Sequence, residues 1–299
     1  MKKEIGKQMC NREAEDRCTM ASENGANADI PLELLDCAVL SNEFVAPEIY
    51  LMTVEAPRIA HRVKPGQFVH MRIPGMADHI LRRPFSIYDA DPTRGTISIL
   101  YRTVGFGSTH MTTLEAGAHV NLIGPVGHGW SLPKDASRIL LVGGGLGAAP
   151  LFLLCKEALA AGIDVEVVLG ATTKDLHVCR ARYAQLLGRE PLCSTDDGTY
   201  GYPGFATKPV EALLLGAECA GGPALSGTSF DAVAVCGPAP LMRAVAATAQ
   251  HAQVPCEVSL ERNMACGIGA CLSCVVDTVD GKRRACVDGP VFDARKVVW

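Results

Sequence analysis

The sequence predicts a multidomain chain, all-β first and α/β after, on three observations. From Leu34 to about Leu132, short β-type runs are punctuated by Pro and Gly. From about Asp135, buried-strand runs alternate with stretches of helical periodicity. After Glu257 the chain turns compact and rich in Cys and Gly. The expected divisions are an extension over 1–30, an antiparallel β-barrel over 31–134, a parallel-sheet domain over 135–255 and a small terminal module over 256–299. At about 150 residues per domain, 299 residues suit roughly two large units. With 48% hydrophobic and 20% charged residues, the chain has material for a buried core, which excludes a disordered protein.

Residues 1–30 are polar, balanced in charge and weakly periodic, and read as a flexible extension. They hold no apolar run of the kind that opens a secretory signal. The barrel strands are expected in CAVLSNEF, EIYLMTVEA, QFVHMRI, FSIYDA, TISILYRTV and HVNLIGPV, at the spacing of an all-β barrel. Beyond them, RILLVGG reads as a buried strand, LGAAPLFLLCKEALAAG as a helix and DVEVVLGAT as a second strand. The same strand-turn-helix grammar closes ALSGTSFDAVAVCGPAPLMRAVAATAQ. Such alternation implies a parallel sheet with ligand-binding turns at its C-terminal edge. The stretch from Gly216 to Ser229, rich in Gly, Ala and Ser, reads as a surface loop.

Net charge is −4 and aromatics are only 5%, so neither a polyanion-binding face nor base stacking along a groove is implied, and no nucleic-acid partner is expected. The longest apolar stretch, Ile139 to Cys155, is shorter than the roughly 20 residues that span a bilayer and carries four glycines and a proline. A soluble, cytoplasmic chain with no membrane partner is expected. Thirteen cysteines, an odd number without an export signal, argue against a disulfide scaffold.

Four cysteines crowd the C-terminus. Cys266, Cys271 and Cys274 follow a C-x4-C-x2-C spacing, with Cys286 behind them. This is the plant-type [2Fe–2S] ligand pattern, in which four thiolates hold two irons. Gly267 and Gly269 would let the loop turn its amides towards the sulfides. Zinc is the competing occupant, but it favours paired short knuckles or added His, and no His follows Cys256.

In the barrel, Arg83-Pro84-Phe85-Ser86 offers an Arg fork for a pyrophosphate and a hydroxyl for a flavin ring edge. The bland alternative is a solvent-facing Arg beside a strand Ser. Leu100-Tyr101-Arg102 follows, and then Gly105-Phe106-Gly107-Ser108, whose glycines suit the start of a phosphate-binding helix. Together these motifs favour a flavin over a plain barrel surface. The run Val142-Gly143-Gly144-Gly145-Leu146-Gly147-Ala148 satisfies G-x-G-x-x-A between a strand and a helix. Dinucleotide approach and tight strand–helix packing both explain them. The usual acidic ribose ligand is missing after the second strand, so the motif leaves NAD and NADP open. Cys236-Gly237-Pro238 closes a strand near the same edge, where a buried structural Cys is the plain reading. The eight histidines form no metal-ligand cluster, and no general acid or base is called for.

In this order, a barrel with RPFS, LYR and GFGS, a nucleotide domain with GGGLGAAP and CGP, and a terminal CGIGACLSC module, the chain resembles the ferredoxin-reductase-like electron-transfer subunits. Within them it is similar to the NAD-type dihydroorotate dehydrogenase B family, through PGQFV (65–69), LRRPFSI (81–87), TDDGTYGYPGF (195–205), SLERNMACGIGACLSC (259–274) and CVDGPVFDARKV (286–297). The likeness covers residues 34–299. It implies an FAD-binding antiparallel β-barrel, a parallel-sheet nucleotide-binding domain and a small C-terminal [2Fe–2S] module. It also implies FAD on Arg83, Pro84, Phe85, Ser86, Leu100, Tyr101, Arg102, Gly107 and Ser108, NAD at the glycine turn and the CGP turn, and the cluster on Cys266, Cys271, Cys274 and Cys286. The implied relay begins on a separate FMN-containing catalytic subunit, two copies of each chain assembling. Electrons from dihydroorotate pass singly to the cluster and FAD, and a hydride goes to NAD⁺, within pyrimidine biosynthesis.

Some positions depart from the family pattern: Ser108 stands in place of Thr, Ser273 in place of a small Gly and Trp130 in place of Phe. The extension and the 216–229 loop look like additions. A related subunit working between NAD(P)H and ferredoxin or a sulfur substrate is the alternative, and a zinc-bearing scaffold without activity is a third.

Overall fold

The computed structural model describes residues 32–76, 78–216 and 229–299. The extension expected over 1–30, and all but the ends of the loop expected over 216–229, lie outside the described residues. Among the described residues no helix is long and apolar enough to cross a membrane.

The first sheet has seven strands: β1 (Glu33–Ala46), β2 (Ile49–Glu55), β3 (Phe68–Arg72), β4 (Arg83–Ser86), β5 (Asp89–Asp91), β6 (Thr96–Arg102) and β7 (His119–Val126). Two short helices interrupt them, α1 (Pro57–Ala60) and α2 (Phe106–Met111). Every pairing is antiparallel, in the order β4-β3-β7-β1-β2-β6-β5. Here the structure corrects the sequence reading, because FSIYDA is not one strand. Ile87 and Tyr88 pass from the β4 side to the β6 side, donating to Gln67 O and Ser98 O respectively. β4 and β5 are thus neighbours in sequence but opposite ends of the sheet, which must curl until its ends meet. The result is a half-barrel. Alternate residues fill it: Met52 and Val54, Val69 and Met71, Ile97 and Ile99, Val120 and Leu122 are all buried.

The second sheet is parallel apart from its last strand. It comprises β8 (Arg138–Gly144), β9 (Asp164–Ala171), β10 (Leu192–Thr195), β11 (Tyr202–Pro203), β12 (Ala232–Cys236), β13 (Cys256–Ser259) and an antiparallel β16 (Val291–Asp293). The order is β11-β10-β9-β8-β12-β13-β16. Helix α3 (Ala149–Ala160) follows a single 3-10 turn over Gly145–Ala148, with Pro150 in its first turn, where the missing N–H costs nothing. α3 is apolar nearly all round because both neighbours are apolar. Leu153 packs into the barrel core, and Leu151, Phe152 and Leu154 pack onto Ile139, Leu141 and Val167 of the sheet. The remaining helices are α4 (Arg180–Leu187), α5 (Thr207–Leu215) and α6 (Ala239–His251); α5 and α6 cover the sheet's other face through Val210, Leu213 and Val245.

The segment 256–299 does not stand apart from this sheet. β13 and β16 belong to it, and only the hairpin β14 (Val275–Thr278) with β15 (Gly281–Arg284) lies outside. The two sheets are also clamped together. Asp89 of the barrel accepts bonds from Lys156 of α3 at 3.0 Å and Arg182 of α4 at 2.5 Å. The Arg182 guanidinium lies 4.8 Å from the Tyr88 ring centroid and 4.7 Å from that of Phe152.

Candidate functional site

β4 carries Arg83-Pro84-Phe85-Ser86, and the structure separates the two neighbouring arginines. Arg82 is committed to the scaffold: it donates to Asn121 O at 2.9 Å, to His70 O at 3.3 Å and to the Asn121 side chain. Arg83 instead lies against the start of α2, where a Cβ on Gly107 would come within 3.1 Å of its Nε. The first intrahelical bond of α2 runs from Thr109 N to Gly105 O, which leaves the amides of its first turn beside the guanidinium. The Ser108 hydroxyl works within the turn, accepting from Val104 N at 2.8 Å and donating to Gly105 O at 3.0 Å.

The second barrel motif is brought to the first by ring contact, Phe85 to Tyr101 at 6.1 Å. Tyr101 itself points into the barrel, where its hydroxyl donates to Asn42 at 3.0 Å. Burial pushes that hydroxyl up to about 12, so it stays neutral. Leu100 and Arg102, on the opposite face of β6, are the side chains of this motif that leave the barrel core.

In the second sheet the turns after β8 and β12 meet, since the register pairs Cys236 with Gly143. A Cβ on Gly143 would lie 2.7 Å from Ala148 Cα, on Gly144 2.5 Å from Leu241, and on Gly147 2.5 Å from the Cys236 carbonyl carbon. These three glycines and Gly237 serve close packing. Gly145 differs: its φ is +56° and nothing stands within 4 Å of where its Cβ would be. It borders a small recess with Leu169, Gly170, His177 and Cys179. Cys236 is buried, with its thiol pushed up to about 12 by desolvation, and reads as structural. Pro238 precedes α6.

The cysteine loop packs onto the hairpin and the barrel. Cys274 Sγ and Cys286 Sγ stand 3.3 Å apart. Cys266 Sγ accepts the amides of Ile268 at 3.5 Å and Cys271 at 3.4 Å, as a thiolate ligand of a cluster would. Ser273 Oγ accepts from Ala265 N and lies 3.2 Å from Cys271 Sγ. Chiefly through Ser273, the exposed Cys271 thiol is brought down to about 6. Burial, then the neighbouring Cys274, push Cys286 up to about 12; a bound cation inverts that order. Among the described residues no three such side chains already converge at metal-ligand distance. The donor set nevertheless suits a cluster: two paired thiols, a third with amide donors, and two glycines at φ +69° and +84° shaping the loop between them.

Beneath this loop lies His70 of β3, which sequence reasoning passed over as one of several scattered histidines. It is 0% exposed, and a Cβ on Gly267 would fall 2.9 Å from its Cγ. Burial first, and then Arg82, hold its pKa below the ordinary value. A further cavity of about 300 Å³ opens at the other end of the parallel strands, between Trp130, Leu132, Ile139, Leu154 and Glu257. No predicted site residue lines it. Desolvation raises Glu257 to about 7 there. Trp130, on the connection between β7 and β8, donates to Pro150 O of α3 at 3.3 Å.

A family model described as the iron-sulfur cluster binding domain of dihydroorotate dehydrogenase B matches residues 261–298, and an oxidoreductase FAD-binding domain matches 36–130. The dihydroorotate dehydrogenase B (NAD(+)) electron transfer subunit of Desulforamulus reducens is 37% identical over 271 residues, 89% of this chain and 99% of the relative. Its counterpart from Fusobacterium nucleatum is 35% identical over 272 residues, with the same coverage. Among solved structures, one of the NADH-dependent reduced ferredoxin-NADP oxidoreductase is similar with a TM-score of 0.76 and 27% identity, over 92% of each chain. A ferredoxin NADP⁺ reductase from Neisseria gonorrhoeae shares the fold at a TM-score of 0.61 and 16% identity, over 78% of this chain and 95% of its own.

Proposed function

The chain belongs to the family of dihydroorotate dehydrogenase B (NAD(+)) electron transfer subunits, and on that premise we propose that it carries electrons from a catalytic partner to NAD⁺. One observation supports a relay within this single chain: the cysteine loop rests on His70 of β3, and His70 pairs directly with Pro84 of the Arg83–Ser86 strand. The loop is therefore one strand away from the flavin motif.

In this reading Cys266, Cys271, Cys274 and Cys286 hold a [2Fe–2S] cluster. Arg83 pairs with the FAD pyrophosphate, a charge-assisted contact worth roughly 1.5–3 kcal/mol. Pro84, Phe85, Ser86, Leu100, Arg102, Gly107 and Ser108 wall the flavin, and Tyr101 contributes its backbone. When bound, the flavin takes electrons one at a time from the iron–sulfur centre and gives them up in pairs to the nicotinamide. Gly145 offers the open backbone for NAD, while Gly143, Gly144, Gly147, Cys236, Gly237 and Pro238 hold the two turns together beneath it. The Asp89–Arg182 clamp keeps that turn in fixed relation to the barrel.

The partner is an FMN-bearing catalytic subunit that oxidises dihydroorotate, with two copies of each chain. Ile268, Leu272 and Val287 stand 52%, 62% and 42% exposed around the cysteines, and an apolar patch there suits a docking face. Thiols that must stay free for the cluster suit the reducing cytoplasm.

The test is anaerobic co-expression with the neighbouring catalytic subunit, followed by dihydroorotate-dependent NAD⁺ reduction. Activity that needs both chains is expected. A chain that purifies alone with FAD and iron, oxidises NADH and ignores dihydroorotate would transfer the assignment to the ferredoxin-linked alternative.

A further inference from the structure

Among the described residues, His70 is the one buried side chain with two polar atoms, Nδ1 and Nε2, that both lack a hydrogen-bond partner at normal distance. An imidazole fully removed from water without partners is costly, so its position needs a reason. The surroundings supply one. On one side the ring meets the backbone of Gly267, so closely that no larger residue fits there. Facing it are the backbones of Cys266 and Arg82, each acting on the ring as an acceptor that favours an N–H there. On the other side its own strand is laddered to the flavin strand, with Val69 opposite Phe85 and Met71 opposite Arg83. Arg82 further pins the His70 carbonyl at 3.3 Å. The ring is thus fixed from below and aimed at the first cysteine of the loop.

We infer that His70 is a positioning residue whose ring N–H donates a hydrogen bond to the Cys266 end of the loop, seating the loop against the flavin strand and stabilising the negative charge gained there on reduction. This rests on the reading of Cys266 as a cluster ligand. Donors aimed at ligand sulfur raise an iron–sulfur potential, because the added electron is partly neutralised, and an N–H dipole held at the ligand's own backbone acts on the same charge through space. The contact also accounts for the glycine at 267, since any side chain there would displace the ring.

The test uses the anaerobically purified holoprotein with His70→Leu and His70→Asn, the latter keeping an N–H near the Nδ1 position. Iron, acid-labile sulfide and FAD are assayed, and the cluster is titrated by low-temperature EPR. In His70→Leu, iron and FAD stay at wild-type levels while the reduction equilibrium falls at least tenfold, about 59 mV for one electron. The EPR g-values shift, and His70→Asn recovers most of both changes. Full iron with an unchanged potential and spectrum in His70→Leu overturns the inference. If the Leu variant fails to hold iron, the Asn variant decides alone: a near-wild-type potential supports the donor, and a tenfold displacement refutes it. Zinc instead of iron in the wild-type protein refutes the cluster assignment itself, an outcome distinct from iron with an unmoved potential.

Discussion

Gly143 and Gly147, at the turn that ends β8, are walled in by backbone, whereas Gly267 and Gly269 of the cysteine loop are walled in by side chains. A Cβ on Gly143 or Gly147 would strike the main chain of Ala148 or Cys236. On Gly267 or Gly269 it would strike the His70 ring, or Val287 and the Arg284 guanidinium. Backbone held in a seven-stranded sheet cannot retreat, so the first turn is a rigid platform whose shape is set locally. The second loop takes its shape from residues remote in sequence, and it shifts if they shift. A dinucleotide that comes and goes suits the first construction. A permanent metal centre, whose ligands must converge from a loop and a separate hairpin, suits the second.

The same contrast explains what could be read from the chain before its fold was known. The C-x4-C-x2-C spacing, RPFS and the glycine turn are local patterns, and each stands where its motif placed it, on a loop, a barrel strand and a strand-to-helix turn. Three things were not local. FSIYDA looked like one strand because nothing within six residues marks the crossing from β4 to β5. Cys256–Ser259 looked like part of a separate module because pairing of a parallel strand with β12 leaves no trace in its own sequence. His70 looked like a lone histidine in an apolar strand, and only the approach of Gly267 gives it a role. Nor could the motif say which of its glycines is open, since Gly143 and Gly145 fill the two glycine places of G-x-G-x-x-A alike.

The largest expected effect tests whether the cysteine loop is organised by metal at all. Cys271→Ala removes the most exposed of the four thiols, one that no apolar core claims. Loss of nearly all iron and sulfide is expected, with FAD retained, because the flavin motifs sit on β4, β6 and α2 over a core of their own. Analysis of iron, acid-labile sulfide and FAD on one sample settles it. Wild-type iron in the variant would remove Cys271 from the ligand set.

An intermediate effect tests the rigidity of the platform. Gly147→Ala would place its methyl 2.6 Å from Gly237 N, against the Cys236–Gly237 peptide, and overpacking of this kind costs about 3 kcal/mol. Urea unfolding should show a clearly lowered midpoint. A loss under about 1 kcal/mol would mean that the two turns slide apart easily, and the contrast with the cysteine loop would lose its physical basis.

The smallest effect on stability carries the most information about function. Gly145 has φ +56° and open space where a Cβ would stand, so Gly145→Ala meets no clash and bears only the left-handed strain, about 1 kcal/mol. Its neighbour two residues on, under the same motif, should cost about three times as much. If the open face exists for the dinucleotide, the methyl nonetheless occupies the space that backbone contact with a phosphate requires. Steady-state NADH oxidation by the holoprotein should then show KM raised several-fold at nearly unchanged kcat, with FAD content and the cluster's EPR signal at wild-type values. An unaltered KM beside the small stability loss would make Gly145 a turn-former alone. The glycine turn would then be packing throughout, and the dinucleotide would have to be sought elsewhere along the C-terminal edge, where Thr172 and the Thr195–Thr199 turn lie side by side through the bond from Asp197 N to Thr172 O.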